Sequence, residues 1–332
     1  MLDLLLLILT VTMALAFGFT NGMNDAANVM ATPIYTRAMT PKQAVIVAGI
    51  CNFVGAITGT AVAITISKGI VPNDEMTYSV IIGALCAVVL WGIIATKMGR
   101  PISLTHSLVS ALAFSGVAAA GFGGIQWSGM LTIGLAVICA PLLGFGAAAI
   151  LMVIIYWIFQ RANPSKINTA FSRGQWFASA FMAYAHGKND GQGPVGIILI
   201  AFILFTGDAA MWDEAIPMWI KVISGLSIAA GTAIGGWRVI KTLGMKVTNL
   251  RMVQGFAAQV GGASIIELAS WLGIPVSTTH CITASVMGVG VVKRPSAVRW
   301  GLAKDIILTW LVTFPLCGSL GFIATSILNF FI

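Results

Sequence analysis

Residues 21–28 read NGMNDAAN and residues 186–193 read HGKNDGQG, so Gly22, Asn24 and Asp25 return as Gly187, Asn189 and Asp190. A second pair follows in the same order. ATKMGRPISLTH at 95–106 returns as ASWLGIPVSTTH at 269–280, with six of twelve positions identical. One short match is within reach of chance, whereas two motifs at offsets of 165 and 174 predict an internal duplication. Each Asn-Asp pair also places an aspartate inside an apolar stretch, and the sequence must explain that acid.

Composition sets the solvent. Over 332 residues the chain is 58 % hydrophobic and 8 % charged, and its mean hydropathy is +0.96. A water-soluble domain of this length does not carry such values. A hydrocarbon core ~30 Å thick needs ~20 apolar residues per helix. Stretches of that order run over 2–35, 43–67, 79–97, 101–119, 128–160, 175–206, 216–237, 252–272, 275–292 and 304–332. The longest have room for a break, so the number of crossings stays open. The first stretch lacks the basic start and cleavage site of a signal peptide and is expected to remain as a span. Nothing marks a nucleic-acid surface. The five cysteines, Cys51, Cys86, Cys139, Cys281 and Cys317, lie in apolar stretches without metal-ligand spacing and read as packing residues.

The net charge of +8 is explained by its distribution. With the N-terminus outside, the connections carrying Arg37, Lys42, Lys97, Arg100, Arg161, Lys166, Arg173, Arg238, Lys241, Lys246, Arg251, Lys293, Arg294, Arg299 and Lys304 all fall inside. That is 15 of the 18 basic residues, the pattern of a cytoplasmic face. Asp3, Asp74, Glu75, Asp208, Asp213 and Glu214 fall on the other side, and both termini are expected outside the cytoplasm. Asp305 lies near the cytoplasmic rim. Asp25, Asp190 and Glu267 remain at membrane depth, where a charge costs several kcal/mol unless it faces a cavity or a partner. They are functional candidates, and a structural ion pair is the alternative for each.

In this orientation the segment with Asp25 runs inward and the one with Asp190 runs outward. The expected fold class is therefore an all-α integral membrane protein, an inverted-repeat secondary transporter with discontinuous helices and helical hairpins. Residues 1–160 form the first repeat, 161–175 a cytoplasmic connection and 176–332 the second repeat. G-R-P-I-S-L-T-H and G-I-P-V-S-T-T-H read as turns leading into helix N-termini at membrane depth, with the proline in the first helical turn. Such termini favour an anion through unpaired N–H groups and a partial positive charge, and Ser103, Thr105, Ser277, Thr278 and Thr279 add donors. The alternative is that these hydroxyls cap and pack helices. A carboxylate beside an anion raises the energy of both, and a cation between them removes the conflict. Asp and Asn side chains with unwound backbone carbonyls are hard oxygen ligands for such an ion. On this reading Asp25 and Asp190 make anion access depend on cation access.

The motif GMNDAAN, Gly22 to Asn28, matches the signature G-x-N-D-x-A-N, and the chain resembles the inorganic phosphate transporter (PiT) family over nearly its whole length. Pro101 to His106 and Pro275 to His280 are similar to that family's hairpin tips, and the short connection at 161–175 is similar to that of compact prokaryotic members. The resemblance implies uptake of inorganic phosphate coupled to sodium or protons, no cofactor, and a homodimer in the bilayer. By position it assigns anion binding to Ser103, Thr105, Ser277, Thr278 and Thr279. Cation binding falls to Asn24, Asp25, Asn28, Asn189 and Asp190, with sodium, where it is the coupling ion, at Asp25 and Asp190.

Three departures bear on specificity. Leu104 stands where the second half has Thr278, Gln192 and Gly193 replace the Ala and Asn of the signature, and Lys188 sits beside Asn189. Sulfate therefore stays open beside phosphate. Lys188 is expected either to pair with Glu267 or to substitute for part of a bound cation's charge, which makes Lys188, Gln192 and Glu267 possible modulators. An enzyme is disfavoured, because His106, His186 and His280 form no H-E-x-x-H or similar ligand set.

Overall fold

The computed structural model describes residues 1–208, 211, 215–248 and 250–332, apart from the side chains of 245 and 246. Asp213, Glu214 and the side chain of Lys246, all used above to orient the chain, lie outside the described residues. The regular structure of the described residues is helical, with no strand among them. The first half contains α1 (Leu2–Tyr35), α2 (Pro41–Thr58), α3 (Ala61–Lys68), α4 (Tyr78–Met98), α5 (Leu104–Ala120) and α6 (Trp127–Phe159). The second contains α7 (Pro164–Asp190), α8 (Gln192–Thr206), α9 (Met218–Ile234), α10 (Trp237–Lys241), α11 (Met252–Trp271), α12 (Thr278–Lys293) and α13 (Trp300–Leu328).

Among the described residues, seven helical stretches are long and apolar enough to cross a bilayer, and the bent pair of α9 with Trp237–Gly244, turned through 61°, adds an eighth. The lipid-facing character is visible in α1. Leu2, Leu4, Leu5, Ile8 and Leu9 at its start are exposed, whereas every residue from Asn24 to Pro33 is buried. Polar side chains are thus gathered inside and apolar ones displayed outside, as hydrocarbon requires.

The expected breaks are present but partly displaced. Asp25 lies within an uninterrupted α1, and Gly191, between α7 and α8, keeps helical angles and donates its N–H to Gly187 O at 2.9 Å. Unwound carbonyls beside the Asn-Asp pairs are therefore absent. The discontinuities sit next door, at Gly59–Thr60 between α2 and α3 and at Gly235–Gly236 between α9 and α10. The connection expected over 161–175 is also mostly helical, because Asn163 caps Ser165 N and Pro164 starts α7.

Packing repeats between the halves. Helices α1 and α9 cross where a Cβ on Gly22 would stand 2.1 Å from Ile228 O and one on Gly231 would stand 1.9 Å from Phe19 O. Helices α7 and α2 cross in the same way, with Gly187 against Asn52 O at 2.1 Å and Gly55 against Tyr184 O at 2.1 Å. Only glycine permits backbones this close, the usual route to helix association in lipid. The flanking helices α6 and α13 each carry an internal proline, Pro141 and Pro315, at the repeat offset.

Connections sort to two ends of the bundle. At one, Arg299 N donates to Val247 O (3.1 Å) and Thr248 Oγ1 to Ala297 O (2.9 Å), whereas Lys97 and Arg100, expected in a connection at this end, lie at the first hairpin tip, where Arg238 Nη1 donates to Lys97 O (2.6 Å) and Arg100 Nη1 to Thr309 Oγ1 (3.0 Å). At the other, Gln126 N donates to Ile70 O (2.9 Å), Tyr78 Oη to Ala201 O (3.0 Å) and Thr325 Oγ1 to Ser79 O (3.3 Å). Helix α13 runs between these ends. The hairpin α4–α5 opens at the second end and α11–α12 at the first, and their tips meet inside. Trp310 Nε1 donates to Pro101 O at 3.2 Å, which places the first tip ten residues along α13, about 15 Å from its start.

Candidate functional site

The tips bring together residues from both halves around two aspartates. Thr279 Oγ1 donates to Asp25 Oδ1 at 2.8 Å, and Thr105 Oγ1, its counterpart at the repeat offset, donates to Asp190 Oδ1 at 3.1 Å. Thr278 Oγ1, which has only Leu104 as counterpart, lies 2.8 Å from Asp190 Oδ2 and 3.2 Å from Asp25 Oδ2. Its single proton is shared between the two acids. Asn28 Nδ2 donates to Thr279 Oγ1 (3.0 Å) and Thr278 Oγ1 (3.3 Å). Asn28 Oδ1 is buried without a partner among the described residues.

The two remaining asparagines hold the tips. Asn24 donates to Thr96 Oγ1 (2.8 Å) and Arg100 O (3.3 Å), and its Oδ1 accepts from Ile102 N (3.3 Å). Asn189 donates to Val276 O (2.7 Å), and its Oδ1 accepts from Ser270 Oγ (3.4 Å) and Val276 N (3.5 Å). Thr96 pairs with Ser270 and Ile102 with Val276 at the offset of 174, so the duplication extends to individual hydrogen bonds. Asn24 spends its side chain on backbone and hydroxyl partners of the first hairpin, whereas Asn189 holds the second tip and also donates Nδ2 to Asp190 Oδ1 at 2.8 Å.

Both tip serines are N-caps. Ser103 Oγ accepts from His106 N at 3.2 Å and Ser277 Oγ from His280 N at 3.0 Å. This moves the helix starts to Leu104 and Thr278, past Pro101 and Pro275, which lie in the turns and not in the first helical turn as expected. Each cap satisfies one of the N-terminal N–H groups of its helix. The remaining first-turn donors point, with the helix dipoles, toward the region between the tips.

His186 is a site residue that sequence reasoning passed over. Its Nδ1 lies 2.8 Å from Asn52 Oδ1, and Asn52 in turn donates to Thr232 Oγ1 at 2.9 Å. With that amide orientation Nδ1 is the donor, which turns Nε2 toward Asp190 Oδ2 (3.2 Å) and Asp25 Oδ2 (3.7 Å). One ligand atom from each of Asp25, His186 and Asp190 lies within 4.8 Å of the others, so the three can surround a single cation. The available signal was positional. His186 and Asn21 both stand one turn before their aspartate, and both are fully buried.

Lys188, Gln192 and Glu267 lie beside this site in a separate brace. Lys188 Nζ pairs with Glu267 Oε1 on α11. Gln192 Nε2 donates to Lys188 O, and Gln192 Oε1 accepts from Ala63 N (2.9 Å) in the first turn of α3. Gln192 thus ties the junction after Asp190 to the start of α3, and Thr65 Oγ1 on α3 donates to Gly273 O (2.6 Å) at the shoulder of the second tip. The other half has Thr242 Oγ1 to Gly99 O at 3.0 Å, but Met23 and Ala27 replace Lys188 and Gln192.

Comparison with known proteins agrees with this architecture. The profile of the phosphate transporter family matches residues 21–321. A probable low-affinity inorganic phosphate transporter of Bacillus subtilis (strain 168) is 42 % identical over 98 % of this chain and 98 % of its own. One of Rhizobium meliloti (strain 1021) is 40 % identical over 93 % of this chain and 92 % of its own. The solved structure of a sodium-dependent phosphate transporter superposes with a TM-score of 0.88 over 98 % of this chain and 100 % of its own, at 27 % identity. These relatives are transporters and not enzymes. A membrane bundle with a duplicated polar centre and near full-length matches has one consistent assignment: the chain belongs to the phosphate transporter family.

Proposed function

We propose that the protein is a secondary symporter that takes up inorganic phosphate with a cation, the anion lying between the two hairpin tips. The observation that carries this reading is Thr278 Oγ1, within hydrogen-bond distance of Asp25 and Asp190 together. Two acids and the hydroxyls aimed at them leave no favourable place for an anion until a cation arrives. A cation would take carboxylate oxygens of Asp25 and Asp190 and the oxygens of Thr278, Thr279 and Asn28, a hard-oxygen set suited to a small ion. With their lone pairs on the cation, the threonine hydroxyls can turn their protons to an anion at the first turns of α5 and α12. Anion and cation binding then assist each other.

Sodium is favoured as the coupling ion by the sodium-dependent neighbour. A proton is the second reading, favoured by His186 Nε2 facing both aspartates. The hairpins' opposite directions support treating 1–160 and 176–332 as inverted repeats, with the basic end cytoplasmic and both termini outside. The resemblance adds pairing with a second copy in the membrane. Uptake of labelled phosphate into proteoliposomes under an imposed sodium or proton gradient, with sulfate as competitor, tests the proposal. Accumulation driven by one gradient and resistant to sulfate is expected, and equilibration without accumulation would replace the symporter by a passive pore.

A further inference from the structure

Asn21 is a buried amide with nothing to bond to. It is 0 % exposed, and neither its Nδ2 nor its Oδ1 has a hydrogen-bond partner among the described residues. Buried polar groups are normally paired, and an amide has both donors and acceptor lone pairs to satisfy. The duplication explains the missing partner. His186, the counterpart of Asn21, reaches Asn52 Oδ1 on α2 at 2.8 Å. In the matching crossing of α1 and α9, Ile228 takes the place of Asn52, because Gly22 meets Ile228 O as Gly187 meets Asn52 O. An isoleucine side chain offers no hydrogen bond.

The neighbours of Asn21 show where the amide is held. Phe17, one turn earlier on α1, and Leu108 on α5 both border Gly193, where a Cβ would stand 2.9 Å from the first and 3.8 Å from the second. Thr20 and Leu104 both border Gly92 in the same way, at 2.6 and 2.7 Å. Leu104 is the first residue of α5 and lies one turn before Leu108. The two helices run in opposite directions, so Asn21, one turn beyond Phe17, comes level with the first turn of α5. One turn further along α1 is Asp25, with Thr278 Oγ1 and through it Asp190. Asn21 therefore stands between the N-terminus of α5 and the two carboxylates.

The amide selects the chemistry. Leu104 leaves this side without the hydroxyl that Thr278 supplies on the other, and Asn21 brings a donor and an acceptor without charge. Inorganic phosphate near neutral pH keeps at least one P–OH, which donates, beside oxygens that accept. Sulfate has no proton to give. Nδ2 suits an oxygen of either anion, whereas Oδ1 suits a P–OH and would face a sulfate oxygen acceptor to acceptor. A site built to hydrogen-bond a hydroxyl rejects the analogue that lacks it, and a third carboxylate in this place would repel the anion itself. We propose that Asn21 binds the transported anion directly and selects protonated oxyanions, with Nδ2 donating to one oxygen and Oδ1 accepting from the P–OH. The inference rests on the anion site between the tips and adds to it the residue that separates phosphate from sulfate.

The test measures binding of tetrahedral oxyanions to the intact protein by calorimetry near pH 7, with the coupling cation present. Phosphate and arsenate carry a proton there, and sulfate and selenate carry none. The unmodified protein should bind the first pair about 10-fold or more tighter than the second. Asn21→Leu, close in shape but without polar atoms, should weaken the protonated pair by about 10- to 100-fold and leave the other pair no weaker, so the preference for phosphate over sulfate falls by that factor. Equal weakening of all the anions, or an unchanged phosphate affinity, would assign the amide to packing or to a buried water and overturn the proposal. If Asn21→Leu fails to fold, Asn21→Ala takes its place. Selenate displacing phosphate from the unmodified protein as well as arsenate does would overturn the proposal without any variant. An unmodified protein that binds no phosphate with either sodium or protons supplied would remove the anion site itself, and this inference with it, whereas cation-dependent phosphate binding indifferent to Asn21 would leave the site standing and reject only the role of Asn21.

Discussion

Breaking the Lys188–Glu267 pair should cost stability, and removing both charges should cost less than the two single losses added together. The two side chains are 15 % and 27 % exposed and in contact. At an effective dielectric of ~20, unit charges ~4 Å apart attract by about 4 kcal/mol. Exposed pairs contribute ~0–1 kcal/mol net, and removing one member of a fully buried pair costs ~3–5 kcal/mol. With both groups mostly covered, about 2–3 kcal/mol is expected for Lys188→Met or Glu267→Gln alone. The double variant should recover about 1.5–2 kcal/mol of the summed loss. Unfolding midpoints in detergent for the four proteins measure this coupling, and the cation dependence of phosphate uptake is measured alongside. Additive losses, within ~0.5 kcal/mol, would refute the brace. A steeper cation dependence in both proteins lacking Lys188 would instead show that its ammonium replaces part of a bound cation's charge.

Thr278→Val should weaken phosphate binding about 10- to 100-fold, the loss of a hydrogen bond to a charged group; Thr279→Val should do so with Asp25 alone affected, and calorimetry on both checks it. Gly22→Ala forces a Cβ to 2.1 Å from Ile228 O, so loss of monodisperse protein is expected, beyond the ~1–3 kcal/mol of ordinary overpacking. Gly146→Ala, with nothing within 4 Å, is the control that should behave as the unmodified protein. Gln192→Ala removes the acceptor of Ala63 N and should lower stability by about 1–3 kcal/mol, with faster amide exchange in α3 as the readout.

Much of this site was legible because a duplication writes itself twice. The repeated Asn-Asp and Pro-x-Ser-x-Thr-His elements identified the aspartates, the tips and their threonines before any contact was known. Individual roles were less legible, because neighbouring residues of one motif face different partners. Ser103 and Thr105 are two positions apart, yet the first turns back to cap its own helix and the second crosses to Asp190. His186 was passed over because it has an asparagine as its counterpart, so symmetry offered no second instance. Asn52 and Thr232 belong to helices whose repeat lies in the glycine crossings and not in a shared motif. The breaks moved from the aspartates to α2/α3 and α9/α10 because Asp25 and Asp190 find their partners in side-chain hydroxyls and need no unwound carbonyls.

Coupling between anion and cation at Asp25 and Asp190 is the centre of this account, and linkage makes it measurable in one titration. Phosphate affinity is determined by calorimetry across sodium concentration and pH for the unmodified protein, Asp25→Asn and Asp190→Asn. Affinity should rise with one of the two cations in the unmodified protein, phosphate should tighten that cation by the same factor, and both aspartate variants should lose the dependence while remaining folded. Phosphate affinity independent of sodium and pH in the unmodified protein would contradict the account.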